Sequence, residues 1–269
     1  MLIAQNLSFG YGQRIVIADF SCQIKEGEFL ALLGPNGSGK TTLLQGLACI
    51  LRPKQGHLFL DGTDLNSLSP KKRAHLIASV PQRPLLPRSM RVRDFVFLGR
   101  FSHLGFLGLA KKIDYTIVQE ALKKTKTEEF ADRSLGTLSG GEMQRVLLAL
   151  TLAQKARILL LDEFSSACDI KSQIMLFDLL HTLTKEGHTV IAASHDQNLV
   201  RAYATRIVGL RDGRMLFDGD VEQAFTAENL SHLNDIPMQI IAQNGQSPRL
   251  AYPKKILELI RGEKSPPKP

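Results

Sequence analysis

Residues Gly34-Pro35-Asn36-Gly37-Ser38-Gly39-Lys40-Thr41 fit the spacing G-x-x-x-x-G-K-[ST]. Glycine at positions 34, 37 and 39 lets a loop turn its backbone N–H groups toward a phosphate with no side chain in the way, and Asn36 and Ser38 lie between them. Lys40 can reach the β- and γ-phosphates of a nucleotide and the Thr41 hydroxyl can ligate Mg²⁺, with Thr42 counted among the binding residues. A second group follows an apolar run: Ile158-Leu159-Leu160-Leu161 ends in Asp162-Glu163. A buried strand delivers its last residues to the carboxyl edge of a parallel sheet, where ligands bind in open α/β folds. There Asp162 would hold Mg²⁺ through water, and Glu163 would orient and polarise an attacking water. The third group is Leu138-Ser139-Gly140-Gly141-Glu142-Met143-Gln144. A serine and two glycines ahead of the helical run Glu142–Ala153 form a second helix end able to bind an anion. Taken alone, Ser139 also reads as a plain N-cap with an acid in the first turn.

The elements that must position these groups alternate. β-rich runs open the chain at Leu2–Ser8, Ile15–Ile24 and Phe29–Leu33, and another lies at His57–Leu60. The phosphate loop follows the run Phe29–Leu33 and precedes an apolar helical stretch with Leu43, Leu44, Leu47, Ala48 and Leu51. A helical middle spans 92–156, with helix spacing clearest at Ile113, Ile117, Val118, Ala121 and Leu122. Strands and helices then alternate at Ile158–Leu161, Ser172–Lys185, Thr189–Ala193, Gln197–Ala204 and Ile207–Leu210. Alternation of this kind predicts parallel strands with crossover helices, an α/β core carrying a mostly helical insertion.

Composition narrows the classes. With 43% hydrophobic and 22% charged residues among 269, the chain is neither disordered nor fibrous. The net charge is +8, but from Ile236 onward six basic residues (Arg249, Lys254, Lys255, Arg261, Lys264, Lys268) meet two acidic ones (Glu258, Glu263), so half the excess sits in the tail. The remainder is mildly basic, and no nucleic-acid partner is expected. The longest apolar stretch, Val146–Ala153, is interrupted by Thr151 and falls far short of the roughly 20 residues a spanning helix needs. The N-terminus shows no secretory signal. Cys22, Cys49 and Cys168 are widely spaced and read as reduced thiols without a zinc site or disulfide. The tail holds six of the 12 prolines (Pro237, Pro248, Pro253, Pro266, Pro267, Pro269) and reads as a solvated segment with a short helix at Lys254–Arg261.

With the phosphate loop, the Leu138–Gln144 segment and Asp162-Glu163 in this order, the sequence resembles the ATP-binding cassette (ABC) family over residues 1–235. The resemblance implies a phosphate-loop, RecA-like α/β core (1–83 and 156–235) with an N-terminal antiparallel β subdomain, an inserted helical subdomain (84–155) and a separate tail (236–269). It also implies further roles. Tyr11 matches an aromatic that stacks on adenine, and Gln82, in Val80-Pro81-Gln82, matches a glutamine that touches Mg²⁺ and water and senses a membrane partner. Asp169 ends a segment that crosses a dimer, and His195, in Ala193-Ser194-His195-Asp196, matches a switch histidine that contacts the γ-phosphate. The chain departs from the family at Phe164, where proline is usual, and at Ser165 and Cys168, where threonine and leucine are commoner.

In the family two copies pack head to tail, each ATP lying between one chain's phosphate loop and the other's Ser139–Gly141. The stretch between loop and Ser139 is too short for a long coiled coil and carries no sustained heptads, which disfavours a chromosome-type ATPase. One set of motifs disfavours a two-cassette ribosomal factor. The resemblance therefore implies an ATP-hydrolysing transporter subunit, peripheral on the cytoplasmic face of the inner membrane, with a separate permease dimer and, indirectly, an external substrate-binding protein. A finer hint lies in Asp61–Leu65, Leu68–Ala74 and Val92–Arg100; the last, with the adjoining Phe101–Phe106, resembles importers of metal chelates, such as ferric siderophores, haem or cobalamin, and in some relatives molybdate or tungstate. A soluble ABC ATPase of iron–sulfur assembly is the alternative.

Overall fold

The computed structural model describes residues 1–82, 84–105, 108–166, 168–243 and 246–254. In chain order the strands are β1 (Leu2–Tyr11), β2 (Arg14–Ile24), β3 (Phe29–Leu33), β4 (Gln55–Leu60), β5 (Thr63–Asp64), β6 (Ile77–Val80), β7 (Ile158–Asp162), β8 (Thr189–Ala193), β9 (Arg206–Arg211), β10 (Arg214–Asp220), β11 (Met238–Gln243) and β12 (Gln246–Pro253). The helices are α1 (Lys40–Leu47), α2 (Pro70–Ala74), α3 (Val92–Phe97), α4 (Lys112–Lys124), α5 (Gly140–Ala153), α6 (Ile170–Lys185), α7 (Gln197–Tyr203), α8 (Val221–Ala224) and α9 (Ala227–Asn234).

Strands β3, β7 and β8 are buried at every residue, as continuous apolar runs covered on both faces must be. They form the middle of a six-stranded sheet of order β10-β9-β3-β8-β7-β6, in which only β10 runs antiparallel to its neighbour. A second sheet, β2-β1-β4-β5, is antiparallel throughout. Because side chains alternate across a strand, β3 feeds two cores. Phe29, Ala31 and Leu33 face a cluster shared with α5 and α6; Leu30 and Leu32 face one shared with α1 and the antiparallel sheet.

Strand β6 had no period or turn signal of its own, being four residues long and anchored by pairing with β7 from Ile77↔Ile158 to Val80↔Leu161. The tail needs a correction. Instead of a solvated segment from Ile236, β11 and β12 pair as an antiparallel hairpin, and Met238, Ile240 and the buried Ala251 pack on the main core. Proline does not prevent the pairing at Pro253, which ends an outer strand, a position where a missing N–H is tolerated. The helix expected at Lys254–Arg261 lies outside the described residues beyond Lys254.

Phe164, standing where proline is usual, is buried at 3% exposure. Its ring lies 5.3 Å from that of Phe177, which in turn contacts Phe29 at 6.2 Å and Tyr203 at 5.4 Å. The side chain thus fills core volume between α6, α7 and β3. Phe164→Ala is expected to lower stability by about 3 kcal/mol, the usual cost of emptying an aromatic site in a packed core. Urea unfolding checks it; an unchanged midpoint would mean that the cluster closes over the gap.

Candidate functional site

Parallel pairing brings the carboxyl ends of β3, β8, β7 and β6 side by side on one edge, where each strand hands over to a loop carrying polar groups. At the end of β3, Gly37 (φ +80°) and Gly39 (φ +104°) occupy the left-handed region. A Cβ on Gly39 would also approach Ile17 Cδ1 to 2.5 Å. The loop is tied down by Ser38 N–H donating to Pro35 O (3.2 Å) and by Gly213 N–H donating to Ser38 O (3.1 Å). Helix α1 begins at Lys40 with no N-cap side-chain hydrogen bond among the described residues, which leaves its leading N–H groups to meet an anion.

Lys40 is 5% exposed and its Nζ donates to the carbonyls of Gly34 (2.8 Å) and Pro35 (3.1 Å). Burial pulls its pKa down, while the carboxylates of Glu163 and Asp162 work against that fall. Asp162, at the end of β7, is 4% exposed. Burial raises its pKa; a hydrogen bond from Thr41 opposes the rise, Glu163 adds to it, and Lys40 and His195 oppose it. Its Oδ1 is buried with no hydrogen-bond partner among the described residues. A buried carboxylate oxygen in want of a cation, beside a threonine hydroxyl, is the hard-oxygen donor set that suits Mg²⁺.

Glu163 turns the chain with φ +47° and anchors its N–H on Ala193 O of β8 (3.1 Å). Its carboxylate accepts from Gln82 Nε2, just beyond β6, and from His195 Nε2, just beyond β8. A carboxylate only accepts, so His195 carries its proton on Nε2 in this arrangement. Three residues far apart in sequence thus meet on one acidic group adjoining the phosphate loop.

Other candidates lie apart. Tyr11, half exposed at the tip of the β1–β2 hairpin, donates its hydroxyl to Gln45 Oε1 of α1 (2.8 Å). Ser139 caps α5 reciprocally: Ser139 N–H donates to Glu142 Oε2 (2.7 Å) and Glu142 N–H to Ser139 Oγ (3.4 Å). Helix α5 packs on α3, α4 and α6, whereas α1 packs on β1, β2 and β7. Gly141 is pressed against α6, where an added Cβ would come within 2.5 Å of Ser172 Oγ. Asp169 caps that same helix through Ser172 N–H (2.7 Å). Within one chain, then, Gly34–Thr42, Gln82, Asp162, Glu163 and His195 assemble together, while Ser139–Gly141 assemble with Asp169. Two contributors escaped the sequence reading. Asp196 caps α7 by accepting from Asn198 N–H (3.0 Å) and Leu199 N–H (2.9 Å), a role that an acid at the head of a helical run could have signalled. Gln45 carried no such signal.

The family model described as ABC transporter matches residues 17–166. The chain belongs to the ABC transporter family. Among relatives of this ABC ATPase is the ferric enterobactin transport ATP-binding protein FepC of Escherichia coli (strain K12), 36% identical over 241 residues, spanning 89% of this chain and 89% of FepC. Another is the iron(3+)-hydroxamate import ATP-binding protein FhuC of Bacillus subtilis (strain 168), 33% identical over 265 residues, 98% of this chain and 97% of FhuC. Among solved structures, an inward-facing transporter assigned to the metal-chelate type superposes with a TM-score of 0.82 at 30% identity, covering 94% of this chain and 96% of that one. The dimeric ATP-binding cassette MJ0796 bound to ADP and Pi superposes with a TM-score of 0.73 at 31% identity, covering 82% and 99%. Among the described residues of the ABC ATPase, no helix is long and apolar enough to cross a membrane.

Gly39→Ala places a methyl group at φ +104° and against Ile17, a strain of about 1–3 kcal/mol at the loop. ATP affinity is expected to fall by about 5- to 150-fold in titration calorimetry, since 1.4 kcal/mol is a factor of ten. Unchanged affinity would mean that the loop's conformation does not govern binding.

Proposed function

We propose that this chain is the ATP-hydrolysing subunit of an importer for a metal chelate, energising uptake through a separate permease. The observation that carries the hydrolytic reading is the convergence of Gln82 and His195 on the Glu163 carboxylate beside the phosphate loop. The import reading is supported by the likeness to FepC and FhuC over most of each protein.

In this reading the N–H groups of Gly34–Thr42 and the first turn of α1 hold the phosphates, and the Lys40 ammonium leaves its carbonyl partners to neutralise the γ-phosphate. Thr41 and Asp162, with Gln82, would hold Mg²⁺, which when bound neutralises phosphate charge and polarises the terminal phosphoryl group. Glu163 accepts a hydrogen bond from the attacking water and orients it in line. His195 Nε2, now on Glu163, is the donor that turns to the γ-phosphate as charge builds there. Tyr11 would exchange Gln45 for the adenine face.

Ser139–Gly141 would complete the site of a second copy, packed head to tail, with the Asp169 segment crossing between the two. The dimeric MJ0796 structure supports this arrangement. The permease dimer would bind the helical region after Gln82 and hold the pair peripherally on the cytoplasmic face of the membrane, an external substrate-binding protein acting only through the permease.

Glu163→Gln keeps the volume and removes the charge that orients water. Its turnover is expected to fall by about 10²–10⁴-fold, the range typical of a lost general base. ATP affinity should stay near wild type by calorimetry. Phosphate release at the wild-type rate would remove Glu163 from the reaction.

A further inference from the structure

The switch residue His195 occupies a short span between Ala193, the last residue of β8, and Gln197, the first of α7. Within that span Ser194 N–H is anchored on Leu32 O of β3 (3.3 Å) and the His195 ring on Glu163, whereas the backbone around Asp196 is held locally: Asp196 N–H donates to Ser194 Oγ (3.1 Å), and Asp196 Oδ1 accepts from Asn198 N–H and Leu199 N–H. The β3 anchor fixes where the turn starts and the local bonds fix its shape, but none of these backbone bonds fixes the direction in which it leaves toward α7. Two side chains immediately after it tie it to the C-terminal part of the chain. Gln197 Nε2 donates to Asn234 Oδ1 at the end of α9 (3.1 Å), and Asn198 Oδ1 accepts from Ala251 N–H of β12 (2.9 Å).

The second tie leads to the β11–β12 hairpin. Ala251 faces Ile240 across the β11–β12 hairpin and is 7% exposed. The hairpin's base is closed by Lys254 N–H on Pro237 O (2.9 Å) and is tied to α9 by Met238 N–H on Ser231 Oγ (2.8 Å). Across a cavity of about 620 Å³, the hairpin residues Met238, Ala251 and Pro253 face Glu163, Ser165 and His195. The C-terminal hairpin therefore forms the far wall of the space into which the hydrolytic carboxylate and the switch residue open.

We propose that the C-terminal hairpin tunes ATP hydrolysis through Asn198, a positioning residue whose amide oxygen, held by Ala251 N–H, sets the direction of the His195 turn. Asn198 touches neither the phosphate loop nor Glu163 among its hydrogen-bond partners in the described residues. It acts one step back, where small displacements still matter: a shift of about 1 Å in a catalytic group can cost about 100-fold in rate. This inference rests on the reading of Glu163 and His195 as hydrolytic residues.

The test uses the full chain and three variants beside a Glu163→Gln control. Asn198→Leu keeps a side chain of similar size and loses the acceptor; Asn198→Asp keeps an acceptor; Ala251→Pro deletes the donor from β12 and leaves Asn198 in place. Asn198→Leu and Ala251→Pro are expected to lower kcat by about tenfold or more, with KM for ATP within about twofold of wild type. Asn198→Asp should return kcat to within about threefold of wild type. The inference is overturned if Asn198→Leu or Ala251→Pro turns over at the wild-type rate while Glu163→Gln is inactive. It is overturned equally if kcat and ATP affinity fall together with the melting temperature and Asn198→Asp rescues nothing, since the bond would then be merely structural. A Glu163→Gln control that hydrolyses normally would instead overturn the reading of the site itself.

Discussion

The parallel pairing of β3, β8, β7 and β6 is the constraint on which the chemistry depends. The register Leu32↔Ala193, Leu161↔Ala192 and Val80↔Leu161 stops these four strands nearly level, so that the segments leaving them all emerge at one edge. Those segments carry a glycine loop, a histidine turn, an Asp-Glu pair and a glutamine. No local propensity brings Gln82 to Glu163 across 81 positions; the sheet does. A slip of one residue in β6 or β7 would turn alternate side chains to the opposite core and withdraw the pairing at the same time.

Charge supplies the second constraint. Lys40 and Asp162 are nearly buried, and burial drives each toward its neutral form, Lys40 downward in pKa and Asp162 upward. Their mutual attraction resists this, and Glu163 supports Lys40 while opposing Asp162. Such a cluster is costly as a structural device, because desolvation consumes most of what the pairing returns. It suits a site that receives a multivalent anion together with a cation, since each arriving charge finds a partner already desolvated and aimed.

Much of this was legible in sequence where the signal was local. The phosphate loop announces itself by glycines at positions that need left-handed backbone, and the strand before it and helix after it are evident from plain hydrophobic pattern. Ser139 and Glu142 satisfy a capping box readable three residues apart. Features that depended on distant partners were hidden. Phe164 departs from the family's usual proline, and its neighbours show why the position tolerates it: Phe177 and Tyr203 come from two later helices. The C-terminal hairpin was obscured by prolines and basic residues that suggest a solvated tail, although Ala251, Met238 and Ile240 give it an apolar face against the core. Tyr11 was visible as an aromatic ahead of the loop, whereas its bond to Gln45 required the packing of α1 on β1.

The separation of Ser139–Gly141 from the phosphate loop within a single chain gives the proposed head-to-tail pair its physical logic. In that proposed pair each chain would supply one half of two sites, and a nucleotide held by both halves would bind the two copies together. Sedimentation equilibrium of the Glu163→Gln chain at high concentration, with and without MgATP, tests this most directly. A shift from one to two chains that requires ATP is the expected result, and it should vanish when Ser139 is replaced by arginine. A mass that stays at one chain in saturating ATP would contradict it.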